Sequence, residues 1–178
     1  GSGVGARRGI LFKTAAALEE AGKGQTVVLD KTGTITSGHP VLTDVLAASG
    51  ILEQDLLRLA AGLEAKSEHP LAKAVLTAAE QREIQIPAVT DFQALPGNGL
   101  RAVYEGKVLF GGSLQYLCTQ IADAERMRPQ AEKLAESGKT PLVFAWNGQL
   151  LGILAVADEI KADSQRAIQE MQSMGLRV

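Results

Sequence analysis

The apolar run Thr26-Val27-Val28-Leu29 ends on Asp30 and passes directly into Lys31-Thr32-Gly33-Thr34. A carboxylate at the carboxyl end of a buried strand, followed by a short flexible loop, strongly limits the folds open to the chain. Open α/β sheets place their ligands at such strand ends. The loop residues suit a phosphoryl group. Lys31 offsets negative charge, Thr32 and Thr34 offer hydroxyls, and Gly33 lets backbone N–H groups approach oxygens. The plain alternative is a solvated turn after a strand.

The second position after Asp30 narrows the chemistry. Phosphatases of the haloacid-dehalogenase class carry a second Asp there, acting as general acid for the leaving group and then as base for water. Thr32 cannot do that work at neutral pH. An aspartyl phosphate on Asp30 is therefore expected to outlast one in a phosphatase, which suits an energy transducer.

With 178 residues, the chain has enough length for one large domain or two small ones. An apolar content of 46%, a charged content of 21% and a net charge of −2 place it among globular proteins. No basic block speaks for nucleic acid, and no apolar run approaches a membrane span. No signal peptide is visible, and Gly1-Ser2-Gly3 reads as a remnant of cloning. The single Cys118 offers neither an internal disulfide nor metal-ligand spacing. It is expected to be a small buried hydrophobe in a reducing compartment.

Along the chain, Thr14 to Glu19 reads as a helix, and Gly22-Lys23-Gly24 ends it before the strand to Asp30. Thr36-Ser37-Gly38-His39-Pro40 reads as a turn leading to an extended stretch through Val45. Leu52, Leu56, Leu59, Ala60 and Leu63 recur at helical spacing, and a second helix opens at Pro70. Val89–Leu95, Leu100–Tyr104 and Val108–Phe110 read as strands, the first two joined through Pro96-Gly97-Asn98-Gly99. Helical stretches follow Gly112 and run from Asp123 to Ser137. Pro141–Trp146, Asn147-Gly148 and Gln149–Val156 give the clearest hairpin signal. A last helix covers Ser164 to Met174, and Leu176-Arg177-Val178 begins a strand.

This layout predicts an α/β chain in which a block at 41–157 interrupts a partial phosphate-binding domain, 1–40 with 158–178. The alternating patterns of the block predict an antiparallel sheet with helices on one face. Within it, His69 opens a helix in Ser67-Glu68-His69-Pro70-Leu71-Ala72. Its imidazole is suited to capping that helix or to stacking on an aromatic base. Glu64, five residues upstream, carries a carboxylate able to accept from an exocyclic amine. Gly97 and Gly99 bracket Asn98, and glycines there allow close backbone approach to a flat ligand, although a turn between strands needs them too. His39-Pro40 has the look of a structural turn.

Together, Asp30-Lys31-Thr32-Gly33-Thr34, Ser67-Glu68-His69-Pro70 and Gly97-Asn98-Gly99 resemble, in order and context, the heavy-metal-transporting P-type ATPases. The resemblance runs from Gly9 to Val178. It implies a partial haloacid-dehalogenase-like (Rossmann-like) phosphorylation domain with an inserted α+β nucleotide-binding domain built on an antiparallel sheet. Asp158-Glu159-Ile160-Lys161 would be the hinge returning to the phosphorylation domain.

The resemblance also implies roles. Asp30 would be the phosphorylated nucleophile, and its carboxylate with the Thr32 carbonyl would help to hold Mg²⁺. Lys31 and Thr34 would lie near the transferred phosphate of ATP, and Glu64, His69, Gly97 and Gly99 would surround adenine. Ile35 stands where Leu is commoner, and Gly111-Gly112-Ser113 stands where Gly-Asn is common. The stretch from Val108 to Ser113 resembles copper(I) pumps somewhat more than zinc or cadmium pumps. The family's Thr-Gly-Asp and Gly-Asp-Gly segments and its membrane Cys-Pro-Cys motif are not in these 178 residues. The expectation is thus a soluble part of an integral membrane pump, at the cytoplasmic face and nearly inactive by itself. Its partners would be ATP and the remaining phosphorylation, actuator and transmembrane domains.

Overall fold

The computed structural model describes residues 2–178, which divide into two compact units. One comprises residues up to Ser37 together with Ile160–Val178, and the other is Gly38–Glu159. The smaller unit begins with α1 (Ser2–Arg7) and α2 (Ala15–Ala21). Thr14 starts α2 by accepting the Ala17 N–H on its hydroxyl at 3.1 Å, satisfying one of the orphan donors of the first turn.

The run after α2 was expected to be a buried strand, and here the structure differs. Thr26 forms a single parallel bridge with Arg177, supported by Val27 N donating to Arg177 O at 2.7 Å. Val28 is 90% exposed. A parallel strand is buried only where strands flank it and helices cover both faces. Among the described residues this run has one neighbour, at one position.

Thr36–Ala47 is a continuous strand, β1, although its Gly and Pro content reads as a turn. The sheet order explains the tolerance. β1 lies at an edge, where a missing N–H at Pro40 and a positive φ at Gly38 break no central ladder. Next come α3 (Glu53–Glu64) and α4 (Pro70–Gln81), then β2 (Thr90–Leu95), β3 (Gly99–Tyr104) and β4 (Lys107–Gly112). α5 (Leu114–Gln120), a 3₁₀ turn (Ala122–Met127) and α6 (Arg128–Glu136) lead to β5 (Thr140–Trp146) and β6 (Gln149–Ile160). Asn147 and Gly148 both have positive φ, 52° and 74°, the pairing that a two-residue hairpin turn twisted with its strands requires.

The six strands form one sheet in the order β1-β6-β5-β4-β3-β2, with antiparallel pairing from β2 through β6. Helices cover both of its faces, which corrects the expectation of one. Along β5, period-two alternation sends Phe144 into a core with α3 and α4, and sends Val143 and Ala145 into a second core with α5 and α6. On β6 a register shift opposite Phe144 and Ala145 breaks the alternation, so Leu151 and Leu154 join the first core while Ile153 joins the second. Such a strand buries both sets of side chains, and β6 accordingly reads as a near-continuous apolar run.

The chain re-enters the smaller unit at Ile160, and α7 (Ser164–Ser173) follows. Gly175, at φ 83°, turns it toward the bridge at Arg177. Cys118 is half-buried and donates to Glu125 Oε2 at 3.2 Å, so it is not the apolar core residue expected. Among the described residues, no helix is long and apolar enough to cross a membrane.

Candidate functional site

In the larger unit, the end of α3, the start of α4 and the β2–β3 turn enclose a cleft of about 570 Å³. Glu64, His69, Gly97 and Gly99, four residues singled out from sequence, all line it. Glu64 sits in the last turn of α3 and is only 5% exposed. Burial pushes its carboxyl up to about 7, opposed by a hydrogen bond from Ser67. Among the described residues it forms no ion pair.

His69 caps α4: Leu71 N donates to its Nδ1 at 3.2 Å. An accepting Nδ1 carries no proton, so the neutral ring has its N–H at Nε2. The same imidazole therefore caps the helix and lines the cleft, and the two readings open at the sequence level are compatible. Pro70 at the first helical position fixes the turn around it.

The two glycines are there for different reasons. Gly97 follows Pro96 in a tight turn closed by Asn98 N donating to Leu95 O at 2.9 Å, and its φ of 76° favours glycine. Gly99 is glycine because β4 passes against it. A Cβ there would strike the Gly111 carbonyl oxygen and come within 2.9 Å of Gly112 Cα. At Gly99 the close approach of the neighbouring strand by itself requires glycine.

Sequence reasoning missed Phe92, Leu100, Lys66 and Ser113, which also line the cleft. Phe92 and Leu100 supply apolar wall, and Lys66 and Ser113 supply polar groups. Only pairing β2 with β3 places Phe92 near the α3–α4 loop, so no local signal marks it. An apolar cleft of this volume with a few convergent polar groups suits a small aromatic ligand.

In the smaller unit, Asp30 is exposed at the mouth of a wide turn, Lys31–Ile35, with Gly33 at φ 76°. Lys31 N donates to Asp30 Oδ1 at 2.8 Å, and the Lys31, Thr32 and Thr34 side chains are exposed. The turn is tied from beneath. Thr36, 1% exposed, accepts from Gly33 N at 3.3 Å and donates to Lys31 O at 3.1 Å. Lys161 Nζ donates to Gly33 O at 2.7 Å, and Ser164 Oγ donates to Ile35 O at 2.7 Å. Lys161 N reaches Ile35 O at 3.0 Å. The expected hinge residues thus include a direct support of the loop, which its sequence does not announce.

The family profile for haloacid dehalogenase-like hydrolases matches residues 25–178. The chain belongs to that family. Within it, the chain is similar to a copper-transporting P-type ATPase of Rhizobium leguminosarum bv. viciae, 41% identical over 177 residues. That match covers 99% of this chain and 21% of the relative. The probable copper-transporting ATPase PacS of Synechococcus elongatus is 42% identical over 179 residues, covering 100% of this chain and 24% of that protein. The chain therefore spans between a fifth and a quarter of the length of these relatives.

Among solved structures, a zinc-transporting PIB-type ATPase in an E2.Pi state matches with a TM-score of 0.83 at 34% identity, over 99% of this chain and 28% of that one. The N-domain of HMA8, a copper-transporting P-type ATPase, matches with a TM-score of 0.54 at 26% identity, over 66% of this chain and 98% of that one. The partial haloacid dehalogenase-like fold with an antiparallel sheet and helices is thus found in cytosolic parts of heavy-metal pumps. Copper-transporting ATPase 2 of Rhizobium meliloti aligns over 178 residues, 100% of this chain.

Proposed function

We propose that this haloacid dehalogenase-like chain is the ATP-binding and phosphoryl-accepting part of a heavy-metal P-type ATPase that exports copper(I). The observation that carries the reading is the gathering of Glu64, His69, Gly97 and Gly99 around one cleft. In this reading the block 41–157 is the nucleotide-binding domain, and 1–40 with 158–178 belongs to the phosphorylation domain. Adenine lies against His69 with its polar edge toward Glu64. An Asp30 carboxylate oxygen attacks the γ-phosphorus, the bond to the β,γ-bridging oxygen breaks, and ADP leaves.

Lys31 and Thr34 balance and orient the phosphoryl oxygens. Thr32, standing where a phosphatase has its acid–base Asp, leaves the aspartyl phosphate long-lived. Asp30 and the Thr32 carbonyl are hard oxygen donors of the kind that would hold Mg²⁺. When bound, Mg²⁺ supplies charge neutralisation. The partners in this reading are ATP and the actuator, transmembrane and remaining phosphorylation segments of a pump, with the chain at the cytoplasmic face of a membrane. Phosphorylation then biases the pump between its two access states.

Two-dimensional amide NMR during an ATP titration tests the reading. Saturable shifts at Glu64, His69, Gly97 and Gly99 in the wild type, lost in His69→Ala, are expected. No saturable shift at millimolar ATP would sink it.

A further inference from the structure

Resting on the reading of the cleft as an adenine site, we infer that Glu64 selects the base as a neutral carboxyl group, donating through its O–H and accepting through its C=O. The geometry behind this is the placement of Glu64 in the cleft wall. It is 5% exposed, lies at the carboxyl-terminal end of α3, and has no ion-pair partner among the described residues. A negative charge there meets the negative end of the helix dipole and receives little solvation.

The other titratable side chains lining the cleft are Lys66 and Glu68 in the α3–α4 loop and His69 at the start of α4, all exposed. The remaining lining residues, on β2, β3 and the turn between them, in the α3–α4 region and at Gly112, Ser113 and Leu142, contribute none. Burial holds the Glu64 carboxyl up to about 7, so its proton is exchanged across the physiological range.

The consequence is base selection. The Watson–Crick edge of adenine offers an N–H donor beside a ring acceptor. A neutral carboxyl offers the complementary acceptor and donor, so two hydrogen bonds form. Guanine offers two adjacent N–H donors, which pair with an ionised carboxylate and leave the O–H of a neutral one opposed to a donor. The protonated site therefore takes adenine, and loss of the proton shifts it toward guanine.

Calorimetric titration of the full chain with ATP and with GTP at about pH 6 and about pH 8.5 tests this, because the phosphate titration common to both ligands cancels in their ratio. For the wild type the ATP-to-GTP affinity ratio is expected to fall roughly tenfold over that range, with proton uptake on ATP binding at the higher pH. In Glu64→Gln, whose amide keeps one donor and one acceptor, the ratio is expected to stay within about twofold at both pH values. A wild-type ratio that does not change with pH, or loss of ATP binding in Glu64→Gln, would overturn the inference while leaving the nucleotide site intact. Binding of neither nucleotide at either pH would remove the adenine-site reading and this inference with it.

Discussion

The cleft of the larger unit and the Asp30 loop of the smaller one are held in place by different means. The cleft is built on a sheet with a helical layer on each face, and its supports are side chains such as Phe144 and Leu63, fully removed from water. The loop rests on a few hydrogen bonds from Thr36, Lys161 and Ser164, while Val28 beside it is 90% exposed. Packing fixes the first by shape, and donors and acceptors fix the second by direction. A pocket for a flat ligand needs walls, whereas a nucleophile that meets a phosphoryl group needs an aimed backbone.

The widest gap between the units is expected on truncating their apolar side chains. Phe144→Ala should destabilise the chain by about 3–5 kcal/mol in denaturant unfolding, whereas Val28→Ser should fall within about 0.5 kcal/mol of the wild type. Comparable losses at both positions would mean that Val28 is packed in solution.

A pH-dependent effect comes next. Glu64 has its folded value raised to about 7 from an ordinary 4.5, so the folded chain holds this proton more tightly than the unfolded chain does. The stability that proton confers is complete below pH ~4.5, is lost as pH rises toward about 7, and is flat above it. Glu64→Gln should therefore stabilise the chain at pH ~8 by up to about 3 kcal/mol and by almost nothing at pH ~4. Thermal melts at the two pH values read this directly, and equal gains at both would contradict it.

The smallest expected change in stability lies in the loop. Lys161→Met and Ser164→Ala each remove one hydrogen bond to the loop backbone and should cost about 1 kcal/mol apiece. The sharper readout is local. Amide hydrogen exchange at Gly33 and Thr34 should speed up in both variants, with no change in α3 or α4. Exchange that quickens equally across the larger unit would show the contacts to be general supports instead of a local clamp.

Much of the fold is legible in short stretches of sequence. The 3.6-residue spacing of Leu56, Leu59, Ala60 and Leu63 marks α3, and Pro70 marks the start of α4, because both signals are local. Asn147-Gly148 marks the hairpin because a two-residue turn with positive φ at both positions selects those residues. β1 was less legible. Its Gly38 and Pro40 read as a turn, and only its position at the sheet edge makes them acceptable.

The candidate sites divide along the same line. Asp30 through Thr34 form a contiguous motif whose chemistry is written in its own residues, and the nomination of Glu64, His69, Gly97 and Gly99 rested on short motifs in a recognisable order. Their sharing of one cleft depends on α3, α4 and the β2–β3 turn meeting, which no single stretch encodes. The same holds for Phe92 in the cleft and for Lys161 and Ser164 beneath the loop, the latter two lying more than a hundred residues away along the chain. Sequence alone thus determined the residue types, the helix starts and the tight turns, since each depends on neighbours a few bonds away. The tertiary structure decided which glycine serves a turn and which a strand crossing, and how deeply Glu64 is buried. Steric clearance and desolvation are set by atoms brought close through space.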